Sequence, residues 1–150
     1  MLGELNDKQV EHLLSKQIIG RVACTDHDLP YIVPVNYVYN GREIISHSIP
    51  GKKIDMMRKN PRVCFQVDEI NSIFDWQSVV AWGRFEEITD MAEKEQAMMA
   101  LTHRLMPFAE QPSDHASHGL ATQEADIGTR LDLIVYKIVL VNKTGRFEHR

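Results

Sequence analysis

The run Glu43-Ile-Ile-Ser-His-Ser-Ile-Pro-Gly-Lys-Lys-Ile-Asp-Met-Met-Arg-Lys-Asn-Pro-Arg-Val-Cys-Phe-Gln-Val-Asp68 decides how the rest of the chain is read. It divides into strand, turn, short helix and strand. Ile44 and Ile45 lie in an extended run that Pro50-Gly51 breaks. From Lys52 onward, Ile54, Met56 and Met57 suit a short helix. Asn60-Pro61 ends it, because a proline biases the residue before it away from helical angles. Ser46, His47, Ser48, Lys52 and Lys53 are thereby gathered around a helix start, where free amide groups and the helix dipole favour an anion. A phosphate is the natural guest, and a merely solvated basic corner is the competing interpretation. The spacing matches neither a P-loop nor a dinucleotide glycine motif.

Upstream, Asn6 can cap a first helix, with Gln9 as its capping-box partner and Val10, Leu13 and Leu14 as its apolar stripe. Short extended runs follow. Gly20–Thr25 is a strand, Asp26–Pro30 a loop, and Tyr31–Tyr39 a second, continuous strand rich in aromatic and β-branched residues. Asn40-Gly41 is a strong hairpin signal and pairs that second strand with Glu43–Ser48. Pro34 cannot donate to a ladder, which puts its strand at an edge or at a bulge.

Downstream, Arg62–Val67 is a strand, and a loop through Asn71 and Asp75 leads to a long extended run, Trp76–Ile88, that Gly83 bends or bulges. Asp90 with Glu93 opens a helix over Met91–Leu105, with Ala97, Met98, Leu101 and Leu105 on its apolar face and Pro107 just beyond its end. Met91, Met98, Met99 and Met106 are expected as packing residues. Pro107–Thr129 reads as a long polar loop, Leu131–Val141 as a closing strand, and Lys143–Arg146 as a turn out of it. Strands joined by local hairpins, without β-α-β alternation, indicate a small antiparallel barrel of about six strands in one domain over residues 1–150.

Composition bounds the function. With 150 residues and a net charge of −4, the chain can bury a real core but offers no broad cationic face for nucleic acid or an anionic membrane. It has no apolar run long enough to span a bilayer, and its start lacks the basic and apolar segments of a signal peptide, so a cytoplasmic location is expected. Cys24 and Cys64 sit in apolar strands and are expected as buried, reduced thiols, with a disulfide or a reactive pair as the alternative. His103, His115 and His118 with Asp114 match no compact zinc motif, and no metal site is assigned to them.

The segments IGRVA (19–23), PYIVPVNYVY (30–39), ISHSIPGKK (45–53), NPRVCFQVD (60–68) and SVVAWGRFEEI (78–88), in that order and spacing, resemble the pyridoxamine 5′-phosphate oxidase-like, FMN-binding split-barrel family. Within that family the likeness is to the nitroimidazole-resistance (NimA-like) branch. The resemblance implies a six-stranded Greek-key split barrel that forms a homodimer with FMN at the subunit interface. It places Lys52 and Lys53 on the FMN phosphate, helped by Ser46 or Ser48, and lines the ribityl chain and ring with Val35, Asn36, Ser46, His47 and Ser48. Trp76, Ser78 and Val79 of the partner would complete the pocket, and His47 would stand beside the flavin as a donor, an acid or a substrate contact. Trp76 and Trp82 share a face if the strand between them is regular, with Trp76 the better cofactor contact and Trp82 a core or interface residue.

The implied activity is an FMN-dependent oxidoreductase that reduces a small electrophile, such as a nitroaromatic, with electrons from NAD(P)H or another donor. An arginine-rich substrate tail is missing, which argues against true pyridoxamine phosphate oxidase activity. The alternatives are a split-barrel protein that holds FMN or haem without turnover, and a dimer whose site is vestigial.

Overall fold

The computed structural model describes residues 1–108, 110 and 133–150. Its strands are β1 (Leu2–Glu4), β2 (Ile19–Asp26), β3 (Leu29–Asn36), β4 (Val38–Tyr39), β5 (Glu43–Ser48), β6 (Arg62–Ser72), β7 (Asp75–Glu87) and β8 (Ile134–Glu148). The helices are α1 (Asp7–Lys16), α2 (Lys52–Lys59) and α3 (Met91–Leu105), the last followed by a 3₁₀ turn at Met106–Phe108. All pairings are antiparallel, in the order β3-β2-β6-β7-β8-β5-β4, with β1 beside the far end of β8.

The sheet's two outermost strands, β3 and β4, are consecutive in the chain and separated by Tyr37 alone. A sheet whose opposite edges are one residue apart must curl into a barrel, and this one stays open along a seam between β3 and β5. The Tyr37 backbone N–H donates to Ile18 O at 3.1 Å and its hydroxyl to Leu14 O at 2.6 Å. Its ring meets Phe65 edge-on, at 4.9 Å between centroids. Burial of that ring holds the corner where the chain leaves one edge and joins the other.

This corner corrects the expectation of one strand over Tyr31–Tyr39. The first part pairs with β2, from Asp26↔Leu29 to Ile19↔Asn36, and only Val38 and Tyr39 enter the Asn40-Gly41 hairpin with β5. The hairpin forms as its residues require. Gly41 takes φ +91°, and the Asn40 side chain accepts from the N–H groups of Arg42 and Glu43. Pro34 lies on the edge strand β3, as its missing donor demands. Two further differences extend β structure. A short β1 appears, and β8 runs on through Lys143–Arg146 instead of turning out, because those residues pair with β7 and β1. The sheet therefore counts eight strands where six were expected.

Two cores result. Val22, Phe65, Val67, Val79, Ile44 and Ile138 fill the barrel, closed at its ends by Val10, Leu13 and Leu14 of α1 and by Ile54 and Met57 of α2. A second core lies outside the barrel, where Met98, Leu101 and Leu105 of α3 cover Leu133 and Val135. The Asn6–Gln9 capping box forms reciprocally, and the Asp90 carboxylate accepts from the Glu93 N–H. Met98 packs in the outer core, with Met99 and Met106 against its edge, while Met91 is exposed. Ala109 and residues 111–132, on which the expected polar loop with His115, His118 and Asp114 falls, lie outside the described residues.

The expected irregularity at Gly83 is a bulge whose extra residue, Val141, belongs to β8, since Trp82 pairs with Asn142 and Gly83 with Leu140. A Cβ on Gly83 would sit 2.5 Å from the Val139 carbonyl oxygen. Backbone cannot yield there as a side chain would. Gly83→Ala is expected to destabilise the fold by about 1–3 kcal/mol, measurable as a lower urea midpoint with an unchanged m-value; a neutral outcome would mean the β7–β8 contact is looser than described.

Candidate functional site

The seam between β3 and β5 opens onto a cleft of about 380 Å³ lined by Ile19, Pro34, Val35, Asn36, His47 and Lys53. Each element presents its residue there for a local reason. Ser46 and His47 are successive residues of β5 and so point to opposite faces. The Ser46 side chain turns inward, fully buried, and its hydroxyl donates to Asn36 O at 2.6 Å, bridging the seam. His47 points outward into the cleft. Ser46 pairs across β5–β8 with Tyr136, a buried residue whose phenol is pushed up to about 12 by burial. Beneath the cleft, then, lies a packed, weakly acidic floor.

The expected site residues separate into groups. Val35, Asn36, His47 and Lys53 come together in the one cleft. Ser46 supports it from inside, and Ser48 Oγ donates to Ile49 O at the turn leading into α2. Lys52 and Lys53 part company, because successive residues on a helix diverge by about 100°. Lys52 lies over the Tyr31 ring, 4.7 Å from its centroid, and lines a different cleft with Tyr31, Asp26 and Asp55. Lys53 leans toward the barrel, with Nζ 6.0 Å from the Tyr136 ring centroid. Burial holds its ammonium pKa below the ordinary lysine value, with the nearby Cys24 thiol opposing that shift. Among the described residues Lys53 has no carboxylate partner.

Trp76, Ser78 and Val79 lie elsewhere on the same protomer. Trp76 pairs with Glu148 along β8 whereas His47 pairs with Val135, a separation of roughly 40 Å of extended chain at about 3.3 Å per residue. Trp76 donates from Nε1 to Glu148 Oε2 at 3.2 Å and Ser78 Oγ takes a hydrogen bond from Gln66 Nε2 at 3.0 Å. Both stand on the outer face of β7, whereas Val79 is wholly buried in the barrel core. Trp82 shares the outer face with Trp76 and is 42% exposed, so it is not a core residue.

That outer face was not legible in advance as a unit. Register aligns Ala23, Cys64 and Trp82 across β2, β6 and β7, with Arg21, Gln66 and Val80 in the next row. Arg21 donates to Asp68 at 3.1 Å and to Gln66 at 3.2 Å, and Gln66 donates on to Asp68 and Ser78. Cys64 therefore faces outward and Cys24 inward, both as free thiols, with burial pushing each thiol up. Among the described residues no cluster of three His, Cys, Asp or Glu side chains is placed to hold a metal ion, and no helix is long and apolar enough to cross a membrane.

Ile19 and Tyr136 were not singled out from the sequence, and Pro34 was singled out as an edge or bulge residue and not as a lining residue of the site. The signal for Ile19 and Pro34 was the β2–β3 hairpin register, which sets Ile19 opposite Asn36 at the cleft's edge; Tyr136 could be found only once β8 was aligned on β5.

The residues present fit a phosphorylated, partly aromatic ligand. They supply one half-buried ammonium without an acid partner, apolar walls from Ile19, Pro34 and Val35, and polar groups on Asn36 and His47.

Comparison with known proteins bears on the family and the fold. A family model described as pyridoxamine 5′-phosphate oxidase matches residues 6–131. A FAD-binding protein of Mesorhizobium loti superposes with a TM-score of 0.77 at 28% identity, over 98% of each chain. A candidate 5-nitroimidazole antibiotic resistance protein of Bacteroides thetaiotaomicron superposes at 0.73, with 21% identity over 98% of this chain and 87% of its own. A FAD and haem binding protein of Mycobacterium smegmatis does so at 0.72, with 17% identity over 99% and 74%; at such identities the likeness concerns the fold. An uncharacterized protein of Rhizobium meliloti (strain 1021) is 46% identical over 70 residues, 47% of this chain and 46% of its own, so the matched stretch spans about half the length of that curated relative. From the capping residue of α1 to beyond α3, the family model and the split-barrel architecture coincide, and the chain belongs to the pyridoxamine 5′-phosphate oxidase family.

Proposed function

We propose that the chain is a homodimeric flavoprotein that binds FMN in the seam between β3 and β5 and uses it to reduce a small electrophile. The observation that carries the reading is Lys53, a half-buried cation at the mouth of a partly apolar cleft, without an acid among the described residues to neutralise it. A site that keeps such a charge desolvated is built for an anion that comes from outside. Family membership and the FAD-binding relative of Mesorhizobium loti support a flavin as that ligand.

In this reading Lys53 holds the phosphate, with Ser48 nearby at the turn before α2. Asn36 and His47 line the ribityl chain and ring, and Ile19, Pro34 and Val35 exclude water from one side. Lys52, directed at Tyr31, stands away from that phosphate. A bound flavin would supply two-electron transfer to a small substrate such as a nitroaromatic, with NAD(P)H as donor. His47 brings an imidazole to the cleft, a side chain that can offer a hydrogen-bond donor or acceptor to the ring or to a substrate.

A second copy would complete the site. The outer-face row Ala23–Cys64–Trp82 borders a cleft of about 480 Å³ and continues to Val141, which is 78% exposed. Apolar surface of that kind on a sheet suits an interface. Trp76 and Ser78 lie on the same face, too far along β8 to serve their own protomer's seam and free to reach a partner's.

Four measurements test this. Purified protein should show flavin absorbance, with a Soret band as the outcome that favours haem, and bound flavin should be reduced by NADH or NADPH. Lys53→Ala should weaken FMN by about 10–100-fold, the range for losing a hydrogen bond to a charged group, and leave riboflavin nearly unchanged; equal losses for the two ligands would remove the phosphate assignment. Trp82→Glu should shift the mass in solution from dimer to monomer, and an unchanged dimer would move the interface elsewhere.

The electrostatics add a prediction that needs no ligand. A lysine whose folded-state pKa lies below its unfolded one opposes folding at neutral pH, and that cost is relieved as pH rises from the folded toward the unfolded value. Lys53→Met should therefore stabilise the ligand-free protein at pH 7, on the order of 1 kcal/mol or roughly 3 °C. The advantage over wild type should shrink as pH rises into the alkaline range. A Lys53→Met protein less stable than wild type at pH 7 would show that the ammonium is well solvated.

A further inference from the structure

The cleft on the other flank of α2 has no part in the function proposed above. It encloses about 640 Å³ against 380 Å³ for the seam cleft. Tyr31 and Leu29 of β3 and the buried Met56 of α2 give it an aromatic and apolar wall. Lys52 Nζ stands over the Tyr31 ring at 4.7 Å, and among the described residues no carboxylate pairs with it. Lys59, by contrast, is held by Asp26 at 3.7 Å. The cleft thus combines an aromatic ring, an apolar floor, an ammonium held over that ring without a carboxylate among the described residues, and the carboxylates of Asp26 and Asp55.

Its rim is fixed at some cost. His27 and Asp28, between β2 and β3, take φ of 54° and 65°, the left-handed region that glycine would occupy without penalty. The two-residue turn sets Asp26 opposite Leu29 at the mouth.

We infer that this cleft is an adenylate subsite. A purine suits the wall made by Tyr31, Leu29 and Met56, sugar hydroxyls suit Asp26 or Asp55, and a phosphate suits Lys52. The source of the adenylate rests on the flavin reading. Lys52 and Lys53 are neighbours at the start of α2 and serve the two clefts in turn. A diphosphate lying across that helix start would meet one lysine with each phosphate. FAD would then place its FMN half in the seam and its AMP half against Tyr31, whereas FMN would leave the second cleft unused. A separate adenine nucleotide, such as the AMP half of a pyridine nucleotide donor, offers the same groups.

Calorimetric titration of wild type, Lys52→Ala and Tyr31→Leu with FMN, FAD and AMP separates these. Wild type should bind FAD at least tenfold more tightly than FMN and should bind AMP saturably. Both variants should lose about tenfold in FAD and AMP affinity and keep FMN affinity within twofold, with melting curves and a Tyr31→Phe protein that retains FAD binding as controls for folding. If FAD and FMN bind alike while AMP binding is present and falls in both variants, the subsite stands and its nucleotide arrives separately. If AMP does not bind and FAD has no advantage, or the variants change neither, the inference is overturned. Failure of wild type to bind any flavin would end the flavin proposal, and the AMP titrations would still decide the subsite.

Discussion

The structure depends on one crossing. At Tyr37 the chain stops pairing with β2 and, a single residue later, begins pairing with β5. A buried ring against Phe65 and hydrogen bonds to Ile18 and Leu14 hold that corner from both sides. Because β3 and β4 leave Tyr37 along different strands, no continuous ladder joins β3 to β5. The barrel closes through covalent connection and side-chain bridging, with the Ser46 hydroxyl donating to Asn36 O across the seam. The cleft is the space that this missing ladder leaves. Its polar character follows as well, since the edge of β3 facing the seam keeps main-chain groups that a closed barrel would have paired.

The short helix α2 converts that space into an asymmetric pair of clefts. Ile54 and Met57 bury fully and fix the helix's rotation. With the rotation fixed, adjacent lysines must leave in different directions, one over Tyr31 and one toward Tyr136. A sequence places both at a helix start and cannot say which serves which cleft, because that depends on which turn of the helix faces the core. The burial of Lys53 follows from the same rotation. The side chain leans toward the buried Tyr136 ring, and desolvation lowers its pKa in consequence.

Features governed by neighbouring residues were legible and those governed by distant ones were not. The Asn6–Gln9 box, the Asp90 cap, the Asn40-Gly41 turn and the full span of α3 are local matters of backbone donors and allowed dihedrals, and each is found where the sequence places it. The break at Tyr37 carries no local signal. A β-rich aromatic run reads as one strand, and only the competition between β2 and β5 for its two halves divides it. The same holds for β8, where Lys143-Thr-Gly-Arg146 looks like a turn yet stays extended because β7 and β1 flank it. Of the site, Val35, Asn36, His47 and Lys53 were recognisable as a group through family likeness and anion chemistry. Tyr136 was not, because its contribution exists only through register with Ser46.

Strand parity carries the last step. Along β7 the odd positions Val79, Ala81 and Phe85 are buried and their even neighbours Trp76, Ser78 and Trp82 look outward. The Val141 bulge keeps this alternation intact on β7 by absorbing the extra residue on β8. The outward face therefore stays uniform along the strand, linking the polar network of Arg21, Gln66, Asp68 and Ser78 to the apolar row ending at Trp82. The polar end is ordered by its own hydrogen bonds, and the apolar end stays exposed at Trp82 and Val141. Gly83 has no Cβ because the close approach of Val139 that accompanies the bulge leaves no room for one. One glycine thus preserves the register that holds Ser78 and Trp76 on a face their own seam cannot use.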